Sequence, residues 1–208
     1  MDEYRTLRET AQDEFTEKRS RFIGYVRPVT SEREALDFIS EIKSKHWDAK
    51  HNVYAYCLRE GNVCRYSDDG EPSGTAGMPV LGVIQKSGLT DCAVVVTRYF
   101  GGILLGGGGL VRAYSHAASI GIAAAGIVTM RMSLLCRLRC DYSQYGRLAT
   151  LIPECGGSIS DTSFGESVDI AFAMTREQLA GFDKKLADAT GGSVKSSTTE
   201  EKYLAVKE

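Results

Sequence analysis

Apolar residues recur along this chain with two different periods, and each change of period marks an element. Phe22-Ile23-Gly24-Tyr25-Val26 is a short apolar run closed near Pro28, the pattern of a strand. Ala35, Phe38, Ile39 and Ile42 then fall at helical spacing behind Ser31 and Glu34, a pair with capping-box separation, so a helix is expected from Ser31 to Lys45. His51 to Leu58 and Val63 to Tyr66 read as a hairpin turned at Gly61-Asn62. Ala76 to Lys86 reads as a helix with Gly88 near its stop. Cys92 to Thr97 is an unbroken, β-branched apolar run, as in a strand covered on both faces. Leu110 to Ala125 is a long helix, small and apolar on most sides, ended by Gly126. Residues 1–20 are charged and fit a frayed or edge segment.

From about Thr129 a second pattern begins. Leu134, Cys136, Leu138 and Cys140 alternate with Leu135, Arg137, Arg139 and Asp141, a strand with one apolar and one largely polar face. Tyr145, Leu148 and Ile152 mark a short helix, stopped by Pro153 to Gly157. Ile159 to Phe164 and Val168 to Met174 form a hairpin around Gly165-Glu166. Thr175 with Gln178 opens a helix carrying Leu179, Phe182 and Leu186, and a last strand lies between Val194 and Val206. The order βαββαβ is ferredoxin-like. The chain is therefore read as α+β in two domains, residues 1–128 and residues 129–208. Val128-Thr129 is β-branched and is expected to form an extended linker.

Length and composition narrow the class. The 208 residues, 43% hydrophobic and 25% charged, suit one large or two small globular domains. No run approaches the ~18 apolar residues of a membrane helix. The polar start Met1-Asp2-Glu3-Tyr4-Arg5 has no apolar signal core, so a cytoplasmic protein without a membrane partner is expected. The six cysteines include no Cys-x-x-Cys pair and are read as free core thiols in a reducing compartment. No metal or cofactor is expected. A net charge of −2 is not the basic balance of a general nucleic-acid binder, so any RNA contact needs a local patch. Basic clusters stand at Lys18-Arg19-x-Arg21 and at Arg131, Arg137, Arg139 and Arg147, and each alone fits ordinary solvated charge.

The candidate chemistry is concentrated between Ser67 and Ser119. Gly106-Gly107-Gly108-Gly109 opens directly into Leu110-Val111-Arg112-Ala113-Tyr114. A glycine-rich helix start leaves the first N–H groups uncovered at the positive end of the helix dipole, where an anion is favoured. The run lacks the Gly-Lys-Ser/Thr of a nucleotide loop and the strand and acid of a dinucleotide fingerprint; tight packing of helix on sheet is the alternative. Arg98-Tyr99-Phe100 precedes it, and aromatics beside an arginine at a strand end can stack a base or belong to the core. Arg112 and His116 share a helix face and can form an anion-reading pair. Ser73 and Thr75 can cap a helix or contact phosphate. Asp68, Asp69 and Glu71 can hold a metal or act as bases, though aspartate in a turn more often bonds its own backbone.

These stretches, Asp68-Asp69-Gly70-Glu71-Pro72-Ser73-Gly74-Thr75-Ala76-Gly77, Thr97-Arg98-Tyr99-Phe100-Gly101-Gly102 and Leu105 to Tyr114, resemble the IMPACT family in its bacterial YigZ-like branch. Ala49-x-His51-Asn52 fits as well. The motifs keep family order over some fifty residues, and the resemblance covers nearly the whole chain, more weakly after Thr129. It implies a first domain like domain 2 of ribosomal protein S5 and a ferredoxin-like second domain, a pairing similar to the last two domains of a translocating elongation factor. Eukaryotic relatives regulate translation with the help of an extra domain that this chain lacks. Family members often carry a basic residue where this chain has Met78, and some have lysine at Leu104, so less charge is available here for an anion.

The resemblance and the residues together lead to an expected translation-associated binder of RNA or the ribosome, or of a protein of the translation machinery. Its site would be formed by Arg98, Tyr99, Gly106 to Gly109, Arg112, Ser73 and Thr75, with Asp68, Asp69, Glu71 and His116 in secondary roles. Two alternatives stay open: an enzyme acting on a phosphorylated small molecule or nucleotide, and a pure protein-interaction module. No general base or nucleophile is evident in the sequence, so a non-enzymatic role ranks first.

Overall fold

The computed structural model describes residues 3–206. They divide into two compact units, Tyr4–Thr129 and the residues from 130 onward with Glu3. The first contains strands β1 (Glu3–Leu7, whose first residue falls in the second unit), β2 (Ala11–Glu17), β3 (Ser20–Pro28), β4 (His51–Leu58), β5 (Val63–Ser67) and β6 (Cys92–Tyr99), with helices α1 (Glu32–Lys45), α2 (Gly77–Lys86) and α3 (Gly107–Ala125). Strand β7 (Ile127–Cys140) runs on into the second unit, followed by α4 (Tyr142–Glu154), β8 (Ser158–Phe164), β9 (Val168–Met174), α5 (Arg176–Thr190) and β10 (Ser196–Ala205).

The first unit is built on an antiparallel sheet in the order β2-β3-β6-β4-β5. Its apolar residues separate onto two faces, as strand alternation requires. Ile23, Tyr25, Tyr56, Leu58, Ala93 and Val95 pack with Phe38, Ile39 and Ile42 of α1. Phe22, Val26, Val53, Ala55, Cys92, Val94 and Val96 pack with α2 and α3 on the other side. Strand β6 is therefore buried on both faces, as its unbroken apolar run predicts. Gly24 of β3 lets α3 approach closely, since a Cβ there would collide with the Ala117 carbonyl, and a Cβ at Gly121 would lie 2.9 Å from the Gly24 oxygen.

Helix α1 starts where its cap predicts. Ser31 Oγ accepts from the Glu34 amide at 3.2 Å, but the Glu34 carboxylate reaches back to the Thr30 amide at 2.7 Å rather than to Ser31. Helix α3 begins three residues before the expected Leu110. The Leu110 amide bonds the Gly106 carbonyl at 2.9 Å, so Gly107, Gly108 and Gly109 form the first helical turn. Glycine is favoured at Gly106, where φ is +75°, and at Gly109 a Cβ would lie 3.0 Å from the Leu105 side chain, which would have to give way.

One expectation is narrowed and one is corrected. Of the two readings of the charged N-terminal segment, frayed or edge, the structure has the edge: β2 pairs with β3 over its whole length as an outer strand, with only Ala11 and Phe15 turned to the core. And Cys57 and Cys64 are joined as a disulfide. The turn at Gly61-Asn62 sets a register in which they lie directly opposite, 4.3 Å apart at Cα. Cys92, Cys136, Cys140 and Cys155 are free.

In the second unit the four strands run β10-β7-β9-β8, all antiparallel, the ferredoxin-like arrangement. Leu134, Cys136, Leu138, Ile170, Phe172 and Met174 face Leu148 and Ile152 of α4 and Phe182 and Leu186 of α5. Reciprocal capping boxes at Asp141/Gln144 and Thr175/Gln178 fix where these helices start. Arg139 and Asp169 pair on the opposite, exposed face at 2.9 Å.

Candidate functional site

Strand β6 hands the chain to α3 through residues 100–106. Gly101 sits so tightly on Arg19 that any Cβ would strike its backbone, which fastens this loop to the β2–β3 turn. That turn is itself left-handed at Lys18 and Arg19, with φ 46° and 64°. A cleft opens on each side of the loop. One, about 370 Å³, is lined by Lys50, His51, Glu71, Arg98, Gly106 and Gly107. The other, about 250 Å³, is lined by Glu17, Lys18, Leu105, Gly109, Arg112 and His116. Between them the amides of Gly107, Gly108 and Gly109 have no intrahelical acceptor.

The cations of the unit divide into paired and unpaired ones. Arg21, Arg27, Arg59 and Arg98 each hold a carboxylate. Among the described residues, no carboxylate lies within ion-pair distance of Lys18, Arg19, Lys50 or Arg112. All four are exposed. Lys50 Nζ lies 5.5 Å from the centre of the Phe100 ring, and the Arg112 guanidinium folds back over Gly108.

Beneath the larger cleft is a buried polar network. Arg98, only 5% exposed, donates to Glu71 at 2.5 Å and to Ser20 at 3.4 Å, and its Nε has no partner. The Tyr114 hydroxyl donates to the same Glu71 oxygen at 2.8 Å. Burial, then the Glu71 charge, push the Tyr114 pKa far above its ordinary value, so it remains a donor. His51 Nε2 lies 3.8 Å from that carboxylate, and its Nδ1 donates to the Asp69 carbonyl at 2.8 Å.

The residues anticipated from sequence are partly brought together. Gly106 to Gly109 and Arg112 form the helix start. Thr75 comes beside Gly107, its methyl 3.9 Å from where a Cβ would be, while its hydroxyl is bonded to the Pro72 carbonyl. Ser73 is exposed nearby in sequence. Arg98 lies under the surface in the Glu71 pair. Tyr99 is half-buried, its hydroxyl between His46 Nδ1 at 2.8 Å and Asp48 at 3.0 Å. His116 lines the smaller cleft, edge-on to Phe15 at 4.6 Å.

The acids serve the backbone. Asp68 accepts from the amides of Gly74, Ala76 and Gly77 and so caps α2, and Asp69 accepts from the Asn52 amide and Lys43. No group of three metal-ligating side chains occurs among the described residues. Lys50, Arg19 and Lys18 were not in the anticipated set. Lys18-Arg19 is visible as a basic cluster, but only the fold sets it against the glycine run. Met78 is half-exposed and Leu104 82% exposed.

With this geometry in place, the chain can be compared with known proteins. The Impact N-terminal domain matches residues 18–122, which contain the larger cleft and most of the smaller one's lining, and the domain of unknown function DUF1949 matches residues 138–193. The chain belongs to the IMPACT family. It is 36% identical to the IMPACT family member YvyE of Bacillus subtilis (strain 168) over 202 residues, covering 97% of this chain and 93% of that protein. It is 35% identical to the IMPACT family member YigZ of Escherichia coli (strain K12), covering 88% and 92%. A solved structure described as the crystal structure of an hypothetical protein superposes with a TM-score of 0.62 at 30% identity, covering 96% of this chain and 98% of that one. Both units of the IMPACT family fold are therefore present. No helix among the described residues is long and apolar enough to cross a membrane.

Proposed function

We propose that this IMPACT family protein is a translation-associated regulator that binds RNA, without catalysing a reaction, by holding backbone phosphates at the start of α3. One observation carries the reading: Lys18, Arg19, Lys50 and Arg112, all exposed and without a carboxylate partner, border the loop and clefts around three uncovered glycine amides. An exposed cation gains little from a single surface carboxylate. Four of them around a helix N-terminus make a local positive field, which a chain of net charge −2 lacks as a whole. The flat glycine backbone lets a phosphate come close to those amides. Arg98 supports this surface from below instead of touching the ligand, because Glu71 and Ser20 hold it. The regulatory part of the proposal follows the family resemblance.

The test is binding of transfer and ribosomal RNA by the full chain and by a variant with Lys18, Arg19, Lys50 and Arg112 all changed to alanine. The folded variant is expected to lose at least ten-fold in affinity at low salt. Equal binding by both proteins, or no binding by the unaltered chain, overturns the reading.

A further inference from the structure

We infer that the RNA taken by this surface is single-stranded, and that Trp47 stacks on one of its bases. The inference rests on the phosphate-binding reading above and adds the class of ligand. Trp47, the one tryptophan in the sequence, is 84% exposed. An indole is normally among the best-buried side chains because of its large apolar area. It stands in the turn between α1 and β4, and hydrogen bonds hold that turn. His46, which caps α1, accepts from the Ala49 amide and from Asn52 through its carbonyl, at 3.0 and 3.3 Å. Its ring is held between the hydroxyls of Tyr25 at 2.6 Å and Tyr99 at 2.8 Å. Asp48, next in sequence, receives the Tyr99 hydroxyl. The residues on either side of Trp47 are thus fixed while its own side chain is presented to solvent.

The surroundings choose the ligand. The turn ends at Lys50, whose ammonium lies over the half-exposed Phe100 at the edge of the larger cleft. Trp47 and Lys50 are three residues apart, so their Cα atoms lie within about 11 Å. Lys45, just before the turn, has its ammonium over the Tyr25 ring and no carboxylate partner among the described residues. The acid of the turn, Asp48, is occupied by Tyr99. Trp47 is flanked by free cations and continuous with the cations of the helix start, a pattern complementary to a polyanion that also offers flat rings. Aromatic platforms beside a basic track are how single strands are held without sequence readout. A duplex cannot use Trp47, because its bases are already stacked on each other.

The single indole makes the test direct. The full chain is titrated with a short mixed-sequence single-stranded RNA and with the same sequence as a duplex, and tryptophan fluorescence is followed alongside an independent binding assay. The single strand is expected to quench the indole and the duplex to leave it unchanged. Trp47→Ala, an exposed site that circular dichroism should show folded, is expected to weaken single-strand binding about ten-fold. Trp47→Phe should restore part of this, and neither should alter the dependence on salt. If single strands bind without quenching, or Trp47→Ala weakens duplex and single strand alike, the stack is wrong while the phosphate reading stands. If neither RNA binds, both readings fail. Quenching by a protein partner with no RNA binding would likewise replace the RNA proposal.

Discussion

Glu71 joins three elements through one carboxylate: Arg98 of β6, Tyr114 of α3 and, at 3.8 Å, His51 of β4. It lies under the larger cleft, so its loss should be felt as stability before it is felt as binding. Glu71→Ala leaves the Arg98 guanidinium buried without a carboxylate and is expected to cost about 3–5 kcal/mol. Tyr114→Phe removes one hydrogen bond to a charged acceptor and should cost about 1.5–3 kcal/mol. Urea unfolding checks both; a cost for Glu71→Ala below that of Tyr114→Phe would contradict this account. His46 gives a second prediction. Tyr99 donates to Asp48, so His46 Nδ1 carries the hydrogen and Tyr25 donates to Nε2, which is the neutral imidazole. Burial, reinforced by Lys45, lowers the His46 pKa in the folded chain. The unfolded chain therefore takes up this proton first as pH falls. The stability owed to neutral His46 is complete above about pH 6.5 and is lost as pH drops through the lower folded value. Unfolding free energy should fall between about pH 7 and pH 5, and His46→Gln should flatten that slope.

At the scale of elements, the close approach of α3 to β3 rests on Gly24. Gly24→Ala forces a methyl into the Ala117 carbonyl and is expected to destabilise by about 1–3 kcal/mol or more. Gly82, inside α2 with no atom near its Cβ position, is the control: Gly82→Ala should stabilise by about 0.5–1 kcal/mol. Thermal unfolding of the two variants should shift in opposite directions, and a shift of the same sign would undo the packing argument. The same elements show what the sequence reveals. Strand β4 has the expected His51–Leu58 bounds because its apolar run is closed by turn residues at Gly61-Asn62. The start of α1 was legible because Ser31 and Glu34 bond locally. For β1 and β2 only an edge position was legible and not the strands themselves, because such a strand turns few residues to the core and its charges hide the alternation. The α3 boundary was hidden too, since glycine is a poor helix former and only the Gly106 to Leu110 hydrogen bond shows that the run is helical.

The site was legible as a place but not as a set of contacts. Sequence periodicity locates the glycine run and Arg112, yet it cannot show that Arg98 is used up by a glutamate 27 positions away, or that Lys18 and Lys50 are left free. Those facts depend on long-range pairing. The two units each carry their own apolar cluster, and Lys18, Arg19, Lys50 and Arg112 all lie in Tyr4–Thr129. A fragment of residues 1–129 is therefore expected to unfold cooperatively and to keep RNA affinity within a few-fold of the full chain. A folded fragment that no longer binds would place essential contacts in the second unit.

The central claim is that phosphates are held by the cations around α3, and the dependence of affinity on salt measures this most directly. For a single strand each phosphate contact adds about −0.7 to the slope of log K against log salt, so four contacts should give a slope of about −3. Lys50→Ala with Arg112→Ala should reduce it by about 1.4. A slope near zero, or one unchanged in the double variant, would contradict the account.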